Sequence, residues 1–567
     1  MIYRLFAPLA AALLLAGCAT TTPPRSAAPL YERGMVSSAD PRAADAGAEI
    51  LRAGGSATDA ALATLLALTV VEPQSSGIGG GGFLLVDDGH GKVASFDGRE
   101  TAPLAAGPDW FFVGGQPLTT PQAIPGGRSV GVPGNLRLMA EAHERFGKLK
   151  WAALFAPAIR LARDGWVQTP RNVGFLKAYA ETGAMTPQGR ALYYQADGEP
   201  LPAGTVIKNP ALAAFLESLA ARGADSFYVG PNAQAIVSVV TTAARNPAPM
   251  TAGDLAAYSA KDRAPVCVLY RRHRLCGMGP PSSGATTVFA TLKQLERFDL
   301  KALGPNSPVA WHLIAESERL AYADRERYLA DPDFVAVPVA GLIDNRYLAS
   351  RGALISPDRT MARAEAGVPA GAMALADGLQ VAEQGTSHFV AIDRSGQAAT
   401  LTSTIESSFG SGLMVGGYYL NNELTDLSII PARNGVPVAN RVEGGKRPRS
   451  SMAPTLVYGP DGRLRLAIGA AGGATIPVQV LKAIIGVIDW DLSAQAAIAL
   501  PTIFAPGDTV YVEKGSALEA MVPALRALGH ADVQIRAPSF KANAIEVVGG
   551  QLVGAADPRS DGRAVSE

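Results

Sequence analysis

The chain has 567 residues, 48% hydrophobic and 18% charged, with 50 basic and 50 acidic side chains. That apolar content excludes an intrinsically disordered chain, and the balanced charge argues against a nucleic-acid binder, which needs a basic patch. No apolar run reaches about 18 residues, so no mature transmembrane helix is predicted.

Residues 1–17 read as an export signal, with Arg4 as the positive start and Leu5 to Ala16 as the short apolar stretch. The stretch ends in Leu15-Ala16-Gly17-Cys18, which resembles a bacterial lipoprotein signal. In that reading Cys18 is the lipidated first residue, residues 18–34 are a tether, and the protein is periplasmic. The lipid would be its one link to a membrane.

Ala43 to Ala53 is a helical run stopped by Gly54-Gly55. Thr58 to Val71 is a second run, almost wholly apolar and therefore predicted to be buried. Gly77 to Gly82 matches G-x-G-x-x-G in form. A helix precedes it and a strand-like run follows, the reverse of a dinucleotide loop. The glycines instead predict close backbone packing beside a site. Lys92 to Phe96 reads as a short strand that enters the turn Asp97 to Glu100, and residues 132–165 read as helical.

Cys267 and Cys276 flank a hairpin with Arg271-Arg272 as its turn, so the two cysteines face each other. A cross-strand disulfide and two buried thiols both fit that register. The six histidines show no HxxxH or HExxH spacing, so no metal site and no cofactor are predicted. Residues 357–384 read as an exposed connector. Strand-like runs follow at 386–392, 397–405, 413–420, 454–458 and 464–468, then a helix at 475–487. Strand pairs followed by helices predict an α+β fold with sheets between helical layers.

Asp393 to Gln397 is a turn with Gly396 ending a three-residue loop. That register sets Thr386 opposite Thr404. Cross-strand threonine pairs are common as structure alone, so the neighbouring motifs decide how the pair is read. They are Val70-Val71-Glu72-Pro73-Gln74-Ser75-Ser76 with the glycines after it, Pro280 to Gly284, Gly385-Thr386-Ser387-His388, Phe409 to Gly412, Leu420 to Glu423 and Lys446 to Thr455. In this order they resemble the gamma-glutamyltransferase family of N-terminal-nucleophile hydrolases, over nearly the whole chain after residue 34.

The resemblance implies a four-layer αββα sandwich and a precursor that cuts itself between Gly385 and Thr386. The large subunit would be 35–385 and the small catalytic subunit 386–567, paired as a heterodimer. It implies Thr386 as nucleophile, with its freed α-amine as base, and Thr404 as the residue that orients it. Gly472 and Gly473 would bind the oxyanion. Arg99, Ser450 and Ser451 would hold the substrate carboxylate, and Glu423 and Asp426 its ammonium, with Glu406 adding a carboxylate next to that site. Implied substrates are γ-glutamyl compounds such as glutathione, with water, amino acids or dipeptides as acceptors.

Three departures from the best-known transferases stand out. Glu406 replaces a usual Asn, Arg449 replaces a usual Leu, and the segment between Asp426 and Ser450 carries no aromatic lid residue. The site is therefore expected to be more open. Glutaryl-type cephalosporin acylases on the same fold are the alternative. A non-catalytic binding lipoprotein is a third class, opposed by the intact Thr386, Thr404, Gly472 and Gly473.

Overall fold

The computed structural model describes residues 31–378, 385–537 and 540–567. The leader, Cys18 and most of the tether lie outside them. The described residues form two central sheets. In chain order their strands are β1 (Met35–Ser38), β2 (Gly81–Asp87), β3 (Val93–Gly98), β4 (Lys261–Asp262), β5 (Val266–Tyr270), β6 (His273–Gly277), β7 (Ser387–Ile392), β8 (Ala398–Thr404), β9 (Thr455–Tyr458), β10 (Leu464–Ala471), β11 (Lys541–Val548), β12 (Gln551–Ala556) and β13 (Arg563–Ser566). The first sheet has the order β13-β1-β7-β8-β2-β3-β4, and the second β12-β11-β10-β9-β6-β5.

Helix α1 (Pro41–Arg52) starts at Asp40, whose side chain accepts from Arg42 N at 2.8 Å. Helix α2 (Ala57–Val71) starts in a capping box of Ser56 and Asp59 and is buried along its whole length. The span 132–165 divides into α3 (Asn135–Phe146) and α4 (Ala156–Asp164). These helices cover the outer face of the first sheet. Helices α5 (Gly284–Leu295), α6 (Pro308–Tyr328) and α7 (Ile476–Ile488) cover the second.

Strand β7 explains why the strands lack an apolar–polar alternation. Phe389 and Ala391 pack into the cluster that holds α2, while Val390 and Ile392 pack into the cluster that holds the second sheet. Both faces are buried, so both are apolar. The result is helix, sheet, sheet, helix, as the resemblance implied.

Two local readings needed the structure. Cys267 and Cys276 pair in register across β5 and β6 and form a disulfide. The run 413–420, read as one strand, is instead a tight hairpin of Met414–Val415 and Tyr418–Tyr419. Gly416 (φ +55°) and Gly417 (φ +89°) supply the left-handed turn between them.

Candidate active site

Thr386 immediately precedes β7, in the middle of the first sheet. The register Ser387 to Ser403 continues to Thr386 and Thr404, and Thr386 Oγ1 donates to Thr404 Oγ1 at 3.0 Å. Thr404 Oγ1 also accepts Glu406 N–H at 2.8 Å. The Thr386 N–H donates to the Ser75 carbonyl at 2.9 Å, in the turn that ends α2. Thr386 has φ +108°, a strained angle for a β-branched residue.

Glycines let these strands meet. A Cβ on Gly80 would lie 1.9 Å from Thr404 O, and one on Gly79 would lie 2.0 Å from Tyr419 O. The glycine run after α2 is thus a packing device at the site. Thr386 is only 2% exposed. The missing lid aromatic predicted an open site. In the uncut chain Gly385 stands directly before Thr386 and packs on the Glu406 carbonyl, so the threonine is covered.

Strand β10 ends at Ala471, and Gly472 (φ +125°) and Gly473 (φ +58°) turn the chain into α7, with Pro477 in its first turn. Ala471 pairs with Lys541, whose Nζ reaches Ser387 Oγ at 3.4 Å. The glycine turn therefore lies at the Thr386 end of β7. An N–H pair at a helix start suits a developing oxyanion.

Arg99 is 1% exposed and its guanidinium contacts Glu423 and Asp426. It also donates to the carbonyls of Pro448 at 3.2 Å and Arg449 at 3.1 Å. That places it beside the serine pair. Ser450 Oγ accepts from Met452 N at 3.2 Å, and Ser451 Oγ accepts from Arg325 Nη2 at 2.8 Å. Arg449 is buried but directed elsewhere: it binds Glu326 Oε2 at 2.6 Å and the Arg325 carbonyl at 3.0 Å.

Sequence reasoning missed Glu100. Its carboxyl is fully buried, with Oε2 3.9 Å from Arg99 Nη1. It meets the carboxyl of Glu423. Burial pushes Glu100 up to about 7. Burial, then Asp426 and Glu423, pushes Glu406 well above the usual carboxylate range. Burial does the same to Glu423, opposed by Arg99. Asn422 Nδ2 donates to Glu406, and Ser407 Oγ donates to the same carboxylate at 2.5 Å. Three carboxyls, of Glu100, Glu423 and Asp426, thus surround one arginine, and Glu406 stands beside Glu423 and Asp426. Such a site holds protons and favours a ligand that brings its own cation.

His388 is no base for Thr386. Burial pushes it down to about 3, and its ring faces Thr402 Oγ1 at 2.9 Å and Thr400 Oγ1 at 3.3 Å.

One histidine cluster lies away from the site. His312, Glu316 and His530 bring ligand atoms within 4.8 Å of one another. All are occupied: His312 bonds His530 Nε2 and Ser356 O, both at 2.8 Å, and Glu316 accepts from Arg319, Thr360 and Met361 N. The cluster reads as a structural clasp between α6 and the C-terminal region.

A model of the family described as Gamma-glutamyltranspeptidase matches residues 43–566. The chain belongs to this family. It is 34% identical to a glutathione hydrolase proenzyme of Escherichia coli over 542 residues, covering 93% of this chain and 91% of that protein. It is 36% identical to the acylase ACY 1 proenzyme of a Pseudomonas species over 543 residues, covering 94% and 93%. A crystal structure of cephalosporin acylase from Bacillus halodurans superposes with TM-score 0.81 at 26% identity, covering 98% of this chain and 99% of that one. Both branches that the sequence left open are therefore represented among the relatives of this gamma-glutamyltranspeptidase family member.

Proposed function

We propose that the chain is a self-cleaving precursor, and that its mature form hydrolyses or transfers γ-glutamyl groups through an ester on Thr386. In maturation, Thr386 Oγ1 attacks the Gly385 carbonyl. The hydroxyl proton passes to the departing amide nitrogen, the peptide C–N bond breaks, and an ester forms. Water then hydrolyses the ester, leaving a Gly385 carboxylate and a free Thr386 α-amine. The +108° φ of Thr386 supports this step, because cleavage releases the strained peptide.

In turnover the α-amine accepts the hydroxyl proton as Oγ1 attacks the γ-carbonyl. The amine's ordinary pKa of about 7.7–8.0 suits that exchange. The N–H groups of Gly472 and Gly473 would stabilise the oxyanion, and the leaving amine would take the proton from the Thr386 ammonium. Water or an acceptor amine then attacks the ester. Arg99 and the serine pair would receive the substrate α-carboxylate, and the acidic cluster its α-ammonium.

The observation that carries the γ-glutamyl reading is the placing of Glu100, Glu423 and Asp426 around Arg99, with Glu406 next to the last two. A glutaryl group has no ammonium, so it would offer no cation to this acidic cluster. The second reading, a glutaryl-type acylase, draws on the acylase relatives. Arg449 no longer favours it, since its guanidinium is bound to Glu326. Parallel assays with γ-glutamyl and glutaryl anilides test the choice: the proposal expects at least tenfold higher kcat/KM for the γ-glutamyl compound. Preference for the glutaryl compound would overturn it. The leader supports export with a lipid on Cys18, and the Cys267–Cys276 disulfide supports a destination outside the reducing cytosol.

A further inference from the structure

Beneath the Thr386 end of β7 lies a buried ion pair that sequence reasoning did not single out. Lys541 Nζ contacts Glu72 Oε2 at 3.0 Å and Oε1 at 3.2 Å. It also contacts Ser75 Oγ at 3.2 Å and Ser387 Oγ at 3.4 Å. Ser387 Oγ in turn donates to Glu72 Oε2 at 2.5 Å. Ser75 is the residue whose carbonyl holds Thr386 N, and Ser387 is the next residue in the chain. The ammonium touches both residues that flank the future amine. The carboxylate touches one.

We infer that Lys541 is a positioning residue of the reaction: it fixes Ser75 and Ser387 around the Thr386 amine and keeps that amine unprotonated near neutral pH. The inference rests on the proposed role of Thr386. A nearby cation disfavours a second positive charge, so more of the amine is free to act as base. The pair survives burial because each charge stabilises the other. Burial works to raise Glu72, yet Lys541 and the Ser387 hydroxyl hold it below the usual carboxylate range. Burial lowers Lys541, and Glu72 opposes that.

Other titratable groups stand around this pair among the described residues. Glu406 lies on the substrate side, next to Thr404. His388 is neutral and turned to Thr400 and Thr402. Asp40 and Arg171 act on the Lys541–Glu72 pair. Removing the cation should therefore raise the amine's proton affinity, and removing the anion should lower it.

The test uses mature enzyme labelled with 15N-threonine. The Thr386 α-amine is titrated by NMR, and the acid limb of kcat/KM is read in parallel. In Lys541→Met both should move up by about one pH unit, which is about tenfold lower kcat/KM at a pH on that limb. Lys541→Arg should keep the wild-type limb, and Glu72→Gln should move it down. A purely structural role would lower kcat/KM equally at every pH. If Lys541→Met yields no two-chain enzyme, Glu72→Gln carries the test. An amine titration unmoved in the variant measured, or moved the same way in both, overturns the inference. The NMR titration needs no turnover, so a wrong substrate class would appear separately, as poor γ-glutamyl hydrolysis by the wild type.

Discussion

Gly385 lies so close to Glu406 that a Cβ on it would sit 1.9 Å from the Glu406 carbonyl oxygen. The residue before the expected cut is thus pressed on the segment that follows the strand carrying Thr404. Glu406 itself has φ +73° and follows the strand end. The contact leaves no room for a side chain on the residue that precedes Thr386.

Gly385→Ala should therefore process poorly. The backbone must shift to relieve the clash, and the attacked carbonyl moves with it. We expect cleavage at least tenfold slower, seen as a persistent full-length band on a denaturing gel over time. Wild-type cleavage kinetics would show that the contact does not set the geometry.

Thr404→Ala should lower kcat more than it raises KM. It removes the partner of Thr386 Oγ1, and a buried hydrogen bond lost in this way costs about 1–3 kcal/mol. Steady-state kinetics should show kcat down by about ten- to a hundredfold. An unchanged kcat would reduce Thr404 to a cross-strand contact.

These two residues were legible in the sequence because one short turn sets their register. The same holds for Cys267 and Cys276, which face each other across a two-residue turn. The helical runs 43–53 and 58–71 were legible from the Gly54-Gly55 stop and from apolar content, and the structure extends them to caps at Asp40 and Ser56. What the sequence hid was contact between distant segments. Glu72 and Lys541 are 469 positions apart, and nothing in either neighbourhood points to the other. Glu100 sat beside Arg99 in plain view, but only the fold shows that its carboxyl meets Glu423. Arg449 drew attention as an unusual residue, and its partner Glu326 on α6 was invisible. The run 413–420 misled because apolar residues on both sides of Gly416-Gly417 read as continuous.

Glu406 should make substrate binding pH-dependent. Its carboxyl is held above the usual range, so it carries a proton where an ordinary glutamate would not. An α-ammonium binds the ionised form better. Binding should thus tighten as pH rises through the Glu406 titration and weaken below it. Calorimetry with an unreactive γ-glutamyl analogue should show a proton released on binding. Glu406→Asn should remove most of that release, and an unchanged release would take Glu406 out of the ammonium site.

The His312–His530 clasp should set the acid limit of stability. Burial pushes His530 down to about 4, from an ordinary value near 6.5. The unfolded chain therefore takes up the proton first as pH falls. The clasp's contribution is full above about 6.5 and is lost progressively towards 4. Tm measured between those limits should fall with pH, and less steeply in His530→Gln. Parallel slopes for the two proteins would contradict this.

The central claim is that Thr386 is the nucleophile for its own release and for turnover. Intact-mass spectrometry of the purified wild type beside Thr386→Ala tests it most directly. The wild type should give two chains, the smaller beginning at Thr386, and a brief exposure to a γ-glutamyl donor should add one γ-glutamyl mass to that chain. Thr386→Ala should stay a single chain and take up no label. Two chains from Thr386→Ala with a break at the same bond, or label on the larger chain of the wild type, would contradict it.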